Sequence, residues 1–453
     1  MAYTPFLLFI ASAIAQQIGT NTPEVHPSLP SERCTIAGGC KPANTSIVID
    51  ANFRWLHNVG GYTNCVVNDV FNKTICTDAE SCTKACAVEG VDYPGMGLKT
   101  TGNAVTMNLF VTKDGKIQKS SPRIYLYDEA VEGYAKFSLL NKEFAFDVDT
   151  SKAGCGVNGA LYLSEMSLNG HKDATNVAGA KYGVGYCDAQ CPKQNWLMGR
   201  VSFGTSNGAN FAGKGSCCNE MDIWEANSAA MTYTPHPCNV TGPYACSEPD
   251  CGNAPGGKNK LRSVCDKDGC EINAYRNGVQ SFYGKGKTID SAKPFTVVTQ
   301  FVTVDNKDSG ALKEIRRLYV QDGKVHQEAK ATAKGLEDVN SMTDGYCAKQ
   351  KSLFGGGASA PNTFATQGGL KTMGEAVGRG MVLAMAIWDD AGGSMHWMDS
   401  TIPENAAPGT PGAARGPCPV TGGKPAQILA EQPNAQVTFS KIRSGEIGST
   451  YKA

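Results

Sequence analysis

Apolar and polar residues alternate along much of this chain in short runs, and long helical patterns are scarce. The run AVTMNLFVTKDGKIQ carries the alternation into an Asp114-Gly115 pair, and IRRLYVQDGKVHQEA does the same at Asp322-Gly323. An Asp-Gly pair between alternating segments signals a two-residue hairpin turn, because both turn residues need positive φ. Further strand-like runs are KFSLLNKEFAFDVD (136–149), TVVTQFVTVD (296–305), MVLAMAIWDD (381–390) and QVTFSKIRSG (436–445). Gly is abundant, at 52 residues, and favours turns between them. The pattern predicts a large all-β protein, an antiparallel sandwich with long loops. It leaves one large domain and two smaller ones both open, since it does not set strand order.

Composition narrows the partners. The 453 residues are 41% hydrophobic and 19% charged, enough for a sizeable core. Lys plus Arg number 42, as do Asp plus Glu. With no net field to draw in polyanions, nucleic acid and anionic membranes are not expected partners, and a neutral ligand fits better. The opening MAYTPFLLFIASAIAQQ reads as a secretory signal. Its apolar run from Phe6 to Ile14 ends in small residues, and cleavage is expected after Ala15. It carries no Lys or Arg; the alternative is a buried N-terminal element. No other apolar run is long enough to span a bilayer.

Eighteen cysteines behind such a leader argue for disulfides, and the number is even. Sequons at Asn44, Asn72 and Asn239 fit the same extracellular compartment. Cys65, Cys76, Cys82 and Cys86 crowd one loop region, and Cys238, Cys246, Cys251, Cys265 and Cys270 another. Crosslinks there offset the entropy lost in ordering long irregular segments. Cys187, Cys191, Cys217 and Cys218 resemble a four-thiolate zinc site. Adjacent strand residues point to opposite faces, however, so Cys217 and Cys218 converge poorly on one ion. Two parallel crosslinks from the 187–191 loop to the 217–218 strand are expected instead, with no metal or other cofactor.

The chemistry centres on CCNEMDIWEAN, Cys217 to Asn227. Three carboxylates, Glu220, Asp222 and Glu225, crowd one strand-like run, although like charges repel and resist burial. On a regular strand Glu220 and Asp222 share a face and Glu225 falls on the other. Either Glu225 is unrelated, or a bulge between Asp222 and Glu225 returns it to the same side. A third reading is three solvated acids on an exposed strand. Convergence would give glycosidase chemistry: carboxyls about 5–5.5 Å apart hydrolyse a glycosidic bond with retention, one as nucleophile and one as acid/base. Their environments must then hold their pKa values apart. A sugar site also wants aromatic faces, and the chain offers Trp55, Trp196, Trp224, Trp388 and Trp397.

EMDIWEAN resembles the E-x-D-x-x-E signature of glycoside hydrolase family 7, which contains secreted cellobiohydrolases and endoglucanases. DANFRWLHN, NGALYLSEM, GYCDAQCP, TPHPC, VVTQF, MAIWDD, WMDSTIP and GAARGPC resemble family segments in the family's order. The likeness runs from about Gln16 to the C-terminus, implying one catalytic domain over 16–453. The implied fold is a concanavalin-like β-jelly roll, two curved antiparallel sheets with a cellulose cleft or tunnel on the concave face. By matching motif, Glu220 would be the nucleophile, Glu225 the acid/base, and Asp222 the group that tunes Glu220. His236 would sit near the leaving group. Trp55, Trp388 and Trp397 would be stacking platforms. Arg262 and Arg415 would bind the product end, and Arg123, Asn158, Tyr162, Asp188 and Gln190 would line the glycone side. The implied disulfides are 34–40, 65–86, 76–82, 155–418, 187–218, 191–217, 238–265, 246–251 and 270–347.

Departures matter. Ala87 stands where many relatives carry one half of a further bridge, and its N-terminal partner is missing too. Phe53 replaces a frequent Trp, so one glycone platform is weaker. PKQNWLMGR after Cys191 diverges and looks shorter, and no linker or cellulose-binding module is expected around GEIGSTYKA. The segment Thr234 to Cys270 matches the loop that roofs the product side in cellobiohydrolases of the family and is cut back in its endoglucanases. The resemblance therefore implies a secreted, monomeric enzyme on cellulose and cello-oligosaccharides, releasing cellobiose processively from reducing ends. An endo-1,4-β-glucanase on the same fold is the first alternative. A non-catalytic β-glucan lectin needs neither the acid pair nor a roofed cleft, and calcium binding would occupy carboxylates that these roles need free.

Overall fold

The computed structural model describes residues 17–452 apart from 68–69, 195, 198–199, 202–213, 356 and 358. The expected signal at 1–15 lies outside them, as does part of the divergent loop after Cys191. Both Asp-Gly pairs make the turns expected of them. Asp114 and Gly115 take φ of 51° and 71°, and Asp322 and Gly323 take 51° and 74°. Two left-handed residues in succession match the twist of the flanking strands and close each hairpin in two residues.

Twelve of the strands carry the architecture. In chain order they are β1 (Thr45–Ile49), β2 (Ala104–Asn108), β3 (Arg123–Asp128), β4 (Lys142–Asp149), β5 (Val157–Ser164) and β6 (Glu220–Ala226). Then come β7 (Met231–His236), β8 (Phe295–Thr303), β9 (Leu312–Gln321), β10 (Lys324–Gln327), β11 (Met381–Asp389) and β12 (Gln436–Glu446). Among the described residues, a sheet of eight strands runs β1-β3-β11-β5-β6-β7 through its middle, and a sheet of ten runs β10-β9-β8-β4-β12-β2. Neighbours along both runs are antiparallel. The sheets face each other as the sandwich that the alternation predicts.

Alternation also says what each face does. On β5, Leu161 and Leu163 enter the core between the sheets, while Ala160 and Tyr162 face a cavity. On β11, Met385 and Ile387 enter the core, while Ala386 and Trp388 face the same cavity. Aromatic rings dominate the core centre. The Trp224 ring lies 6.3 Å from Phe146, 5.9 Å from Tyr283 and 5.7 Å from Phe295, edge to face in each case. Burying rings of this size stabilises the sandwich by roughly 2–3 kcal/mol each.

The long connections, 237–294 between β7 and β8 and 328–380 between β10 and β11, build walls over the outer face of the eight-stranded sheet. Disulfides hold these walls. All eighteen cysteines are paired, in the nine pairs that the resemblance implies. Cys187–Cys218 and Cys191–Cys217 tie the 187–191 loop to the start of the carboxylate strand, the parallel crosslinks expected from the residues alone.

Candidate active site

The carboxylate strand does bulge, and where it must. Against β7, Asp222 pairs with Thr234 and Glu225 with Thr232, three steps on β6 against two on β7. Against β5, Asp222 pairs with Tyr162 and Trp224 with Leu161, which leaves Ile223 without an opposite number. The extra residue sends two consecutive side chains, Ile223 and Trp224, into the core with no solvent exposure. Beyond it the alternation resumes in opposite phase. Glu220, Asp222 and Glu225 therefore face one cavity of about 930 Å³, each less than a tenth exposed.

Burial of four carboxyls at one site makes proton sharing unavoidable. Glu220 accepts from the Ala189 backbone N–H at 3.0 Å and is hydrogen bonded to Asp222. Burial pushes its carboxyl well up, and the charges of Asp222 and Asp188 push the same way. Burial also raises Asp222, with Asp188 adding to it. His236 packs Nε2 against Asp222 Oδ2 at 3.0 Å and Nδ1 against the Asp266 carbonyl at 2.7 Å. A carbonyl only accepts, so Nδ1 carries a proton and Nε2 is the nitrogen that faces the Asp222 carboxyl. Glu225 is also raised, by burial first and the Asp222 charge second. Among the described residues its side-chain donor is Asn158 Nδ2, at 2.9 Å.

The walls supply sugar-sized surfaces. Trp388 and Trp397 are stacked with centroids 6.1 Å apart, and Asp390 fixes the Trp397 indole N–H at 3.2 Å. Beyond them Arg276 and Arg415 share Glu271, at 2.7 and 2.9 Å. Toward the other side Tyr162 and Tyr186 join hydroxyls at 2.9 Å, and Tyr186 donates to Asp188. Arg123 lies 3.3 Å over the Tyr186 ring while paired with Asp50 at 2.8 Å.

Residues 18–451 match the model of glycosyl hydrolase family 7. The chain belongs to that family. A probable endo-beta-1,4-glucanase, celB, of Aspergillus clavatus is 47% identical over 446 residues, 98% of this chain and 96% of the relative. Among solved structures, a family 7 cellobiohydrolase of Daphnia pulex superposes with a TM-score of 0.90 at 41% identity, over 96% of this chain and 100% of its own. A Humicola insolens endocellulase superposes at 0.82, with 41% identity over 96% and 100%. The family's jelly-roll sandwich is the fold described above.

Against the expectations that the family motifs set, Glu220, Asp222, Glu225 and His236 come together in the cavity. Arg123, Tyr162, Asp188, Gln190, Trp388, Trp397 and Arg415 line it as well. Three residues are placed elsewhere. Asn158 shares the face of Tyr162 but is fully covered, so it holds Glu225 from behind and offers no surface to a sugar. Trp55 stacks on His57 at 4.1 Å and Tyr62 at 6.1 Å, away from the cavity lining, where Phe53 stands instead. Arg262 is exposed at the end of a one-turn helix, Lys260–Arg262, whose Lys260 and Leu261 border the cavity instead. Lys267, Glu271, Arg276 and Phe354 also line the site. The signature did not flag them; Glu271, an acid directly after Cys270 at the end of the roofing loop, offered the one usable hint.

Proposed function

We propose that this family 7 enzyme hydrolyses β-1,4-glucosidic bonds of cellulose with retention of configuration. The observation that carries the reading is the bulge, which brings Glu220, Asp222 and Glu225 to one wall beside stacked tryptophans. Glu220 attacks the anomeric carbon; the Ala189 N–H favours its charged form, against the upward push of burial. Glu225, kept protonated by burial, gives its proton to the leaving oxygen and then takes one from water. Asp222 and His236 hold the remaining proton between them. A similar solved structure, 40% identical to this chain, is an endoglucanase I complexed with cellobiose, in keeping with a cellulosic ligand.

For the mode of attack we favour release of cellobiose from reducing chain ends by a secreted, monomeric enzyme. Two observations support it. The roofing segment is intact and held by three disulfides within and beyond it, Cys238–Cys265, Cys246–Cys251 and Cys270–Cys347. It is also latched across the cleft: Lys267 Nζ donates to the Gln190 carbonyl at 2.7 Å, and Gln190 Nε2 returns a bond to the Lys267 carbonyl at 3.0 Å. Internal cleavage is the second reading, favoured by the name of the Aspergillus clavatus relative. Proton NMR of early cello-oligosaccharide products tests the chemistry: β-anomers appear first under retention, and α-anomers first would sink it. Carboxymethylcellulose separates the modes. Slow viscosity loss with mostly cellobiose supports end-wise release; rapid loss supports internal attack.

A further inference from the structure

The bulge that aims Glu225 needs its own support. In a regular strand every backbone carbonyl bonds a neighbour; at Ile223 the register skips on both sides. Tyr233, opposite the bulge on β7, is itself paired away: it exchanges both backbone bonds with Ile272, at 3.2 and 3.0 Å. A buried carbonyl without a partner destabilises the strand, which then tends to relax toward regular pairing. Regular pairing here would turn Glu225 out of the cavity.

The partner comes from the opposite sheet. Arg317 on β9 reaches through the core, and its Nη2 donates to the Ile223 carbonyl at 2.5 Å. The side chain is 1% exposed. Its guanidinium lies 4.0 Å over the Tyr233 ring and 6.0 Å from the Tyr319 ring, so two aromatic faces hold the charge in place. Tyr319 in turn donates to Glu328 at 2.8 Å, which puts a carboxyl within the field of the guanidinium. Burying an arginine in a sandwich core is costly, and apolar packing would serve stability at least as well. The group is aimed at the carbonyl of the extra residue in the bulge.

We propose that Arg317 is a positioning residue for the acid/base carboxyl, holding the bulge of β6 so that Glu225 faces the cavity. The kinetic consequence rests on the role assigned to Glu225 above; the structural consequence does not. Arg317→Met keeps length and removes the donors, and Arg317→Lys keeps charge with a shorter reach. On a cello-oligosaccharide, Arg317→Met should lose kcat on the order of 10²-fold per folded molecule, with KM little changed and the basic limb of the pH profile displaced. Arg317→Lys should recover part of the loss. A crystal structure of Arg317→Met should show the register of β6 against β7 altered and the Asn158–Glu225 bond lost. A lower melting temperature with unchanged kcat and pH limb would overturn the proposal, as would a variant structure that keeps both bulge and bond. If Arg317→Met does not fold, Arg317→Lys decides alone, an unmoved kcat and limb again overturning it. Wild-type protein inactive on every β-1,4-glucan would instead overturn the glucanase reading and leave the crystallographic arm decisive.

Discussion

Asn158 donates its side-chain amide to Glu225 Oε1 at 2.9 Å and accepts the Ala226 N–H at 3.1 Å, from a position with no solvent exposure. One side chain thus fixes both the proposed acid/base and the backbone that follows it. Its bond to Glu225 favours the ionised form and opposes the upward push of burial. Asn158→Ala should therefore move the basic limb of kcat/KM to higher pH and lower kcat by at least about tenfold. The vacated polar partners should cost about 1–3 kcal/mol of stability. An unmoved limb in the folded variant would show that Asn158 does not tune Glu225.

Asp222 raises both glutamates by its charge, second only to burial in each case. Asp222→Asn removes that charge. Both carboxyls should titrate lower, so the acid limb, set by ionisation of Glu220, and the basic limb, set by loss of the Glu225 proton, should both shift to lower pH. The rate should fall by at least about tenfold, because the proton partner of His236 and Glu220 is altered. A shift of one limb alone would mean that Asp222 couples to only one of the pair.

How much of this was legible beforehand follows from where each signal resides. The hairpins at Asp114-Gly115 and Asp322-Gly323 are local, so two residues and their flanks suffice. The bulge was a conditional demand: three acids spaced two and three apart can share a face only if one residue is extra. Spacing stated the condition, and strand pairing met it. The family motif put Asn158 beside Tyr162 on the glycone side, yet a motif cannot say that the side chain would be fully covered and bonded to Glu225. Arg262 falls outside the lining because each step in a single 3₁₀ turn rotates a side chain by about 120°, which leaves Lys260 and Leu261 bordering the cavity. Arg317 was invisible because its partner is a carbonyl 94 residues away on the other sheet.

Lys267 holds the roof to the nucleophile-side loop. It donates to the Gln190 carbonyl at 2.7 Å and to Asn253 Oδ1 at 2.8 Å, and burial lowers it to about 8. Lys267→Met should loosen this bridge while leaving the carboxylates in place. Cellobiose release relative to carboxymethylcellulose viscosity loss should fall several-fold, roughly the effect of one or two charged hydrogen bonds. The wild-type enzyme should drift the same way above about pH 8, as the ammonium deprotonates. If the ratio is the same in both proteins, the latch does not govern the mode of attack.

Glu328 ties acidity to stability. It is buried in the core, accepts from Tyr319 at 2.8 Å and from the Ala329 N–H at 3.0 Å, and burial raises it from 4.5 to about 7. An acid raised on folding holds a proton that the unfolded chain has released between those two values. Stability from this group is thus fully present below 4.5 and declines as pH rises to about 7. The loss amounts to at most about 3 kcal/mol. Glu220, Asp222, Glu225 and Asp399, the last raised to about 6, act with the same sign, so the whole enzyme should be more stable in mild acid than at neutrality. Glu328→Gln keeps an acceptor for Tyr319 and cannot ionise. Melting temperatures taken at about pH 5 and about pH 7.5 should therefore differ less in Glu328→Gln than in the wild type, without vanishing, since the other raised carboxyls, Asp188 among them, still titrate. An identical difference in both proteins would mean that Glu328 stays ionised in the fold, with Arg317 near enough to outweigh its burial.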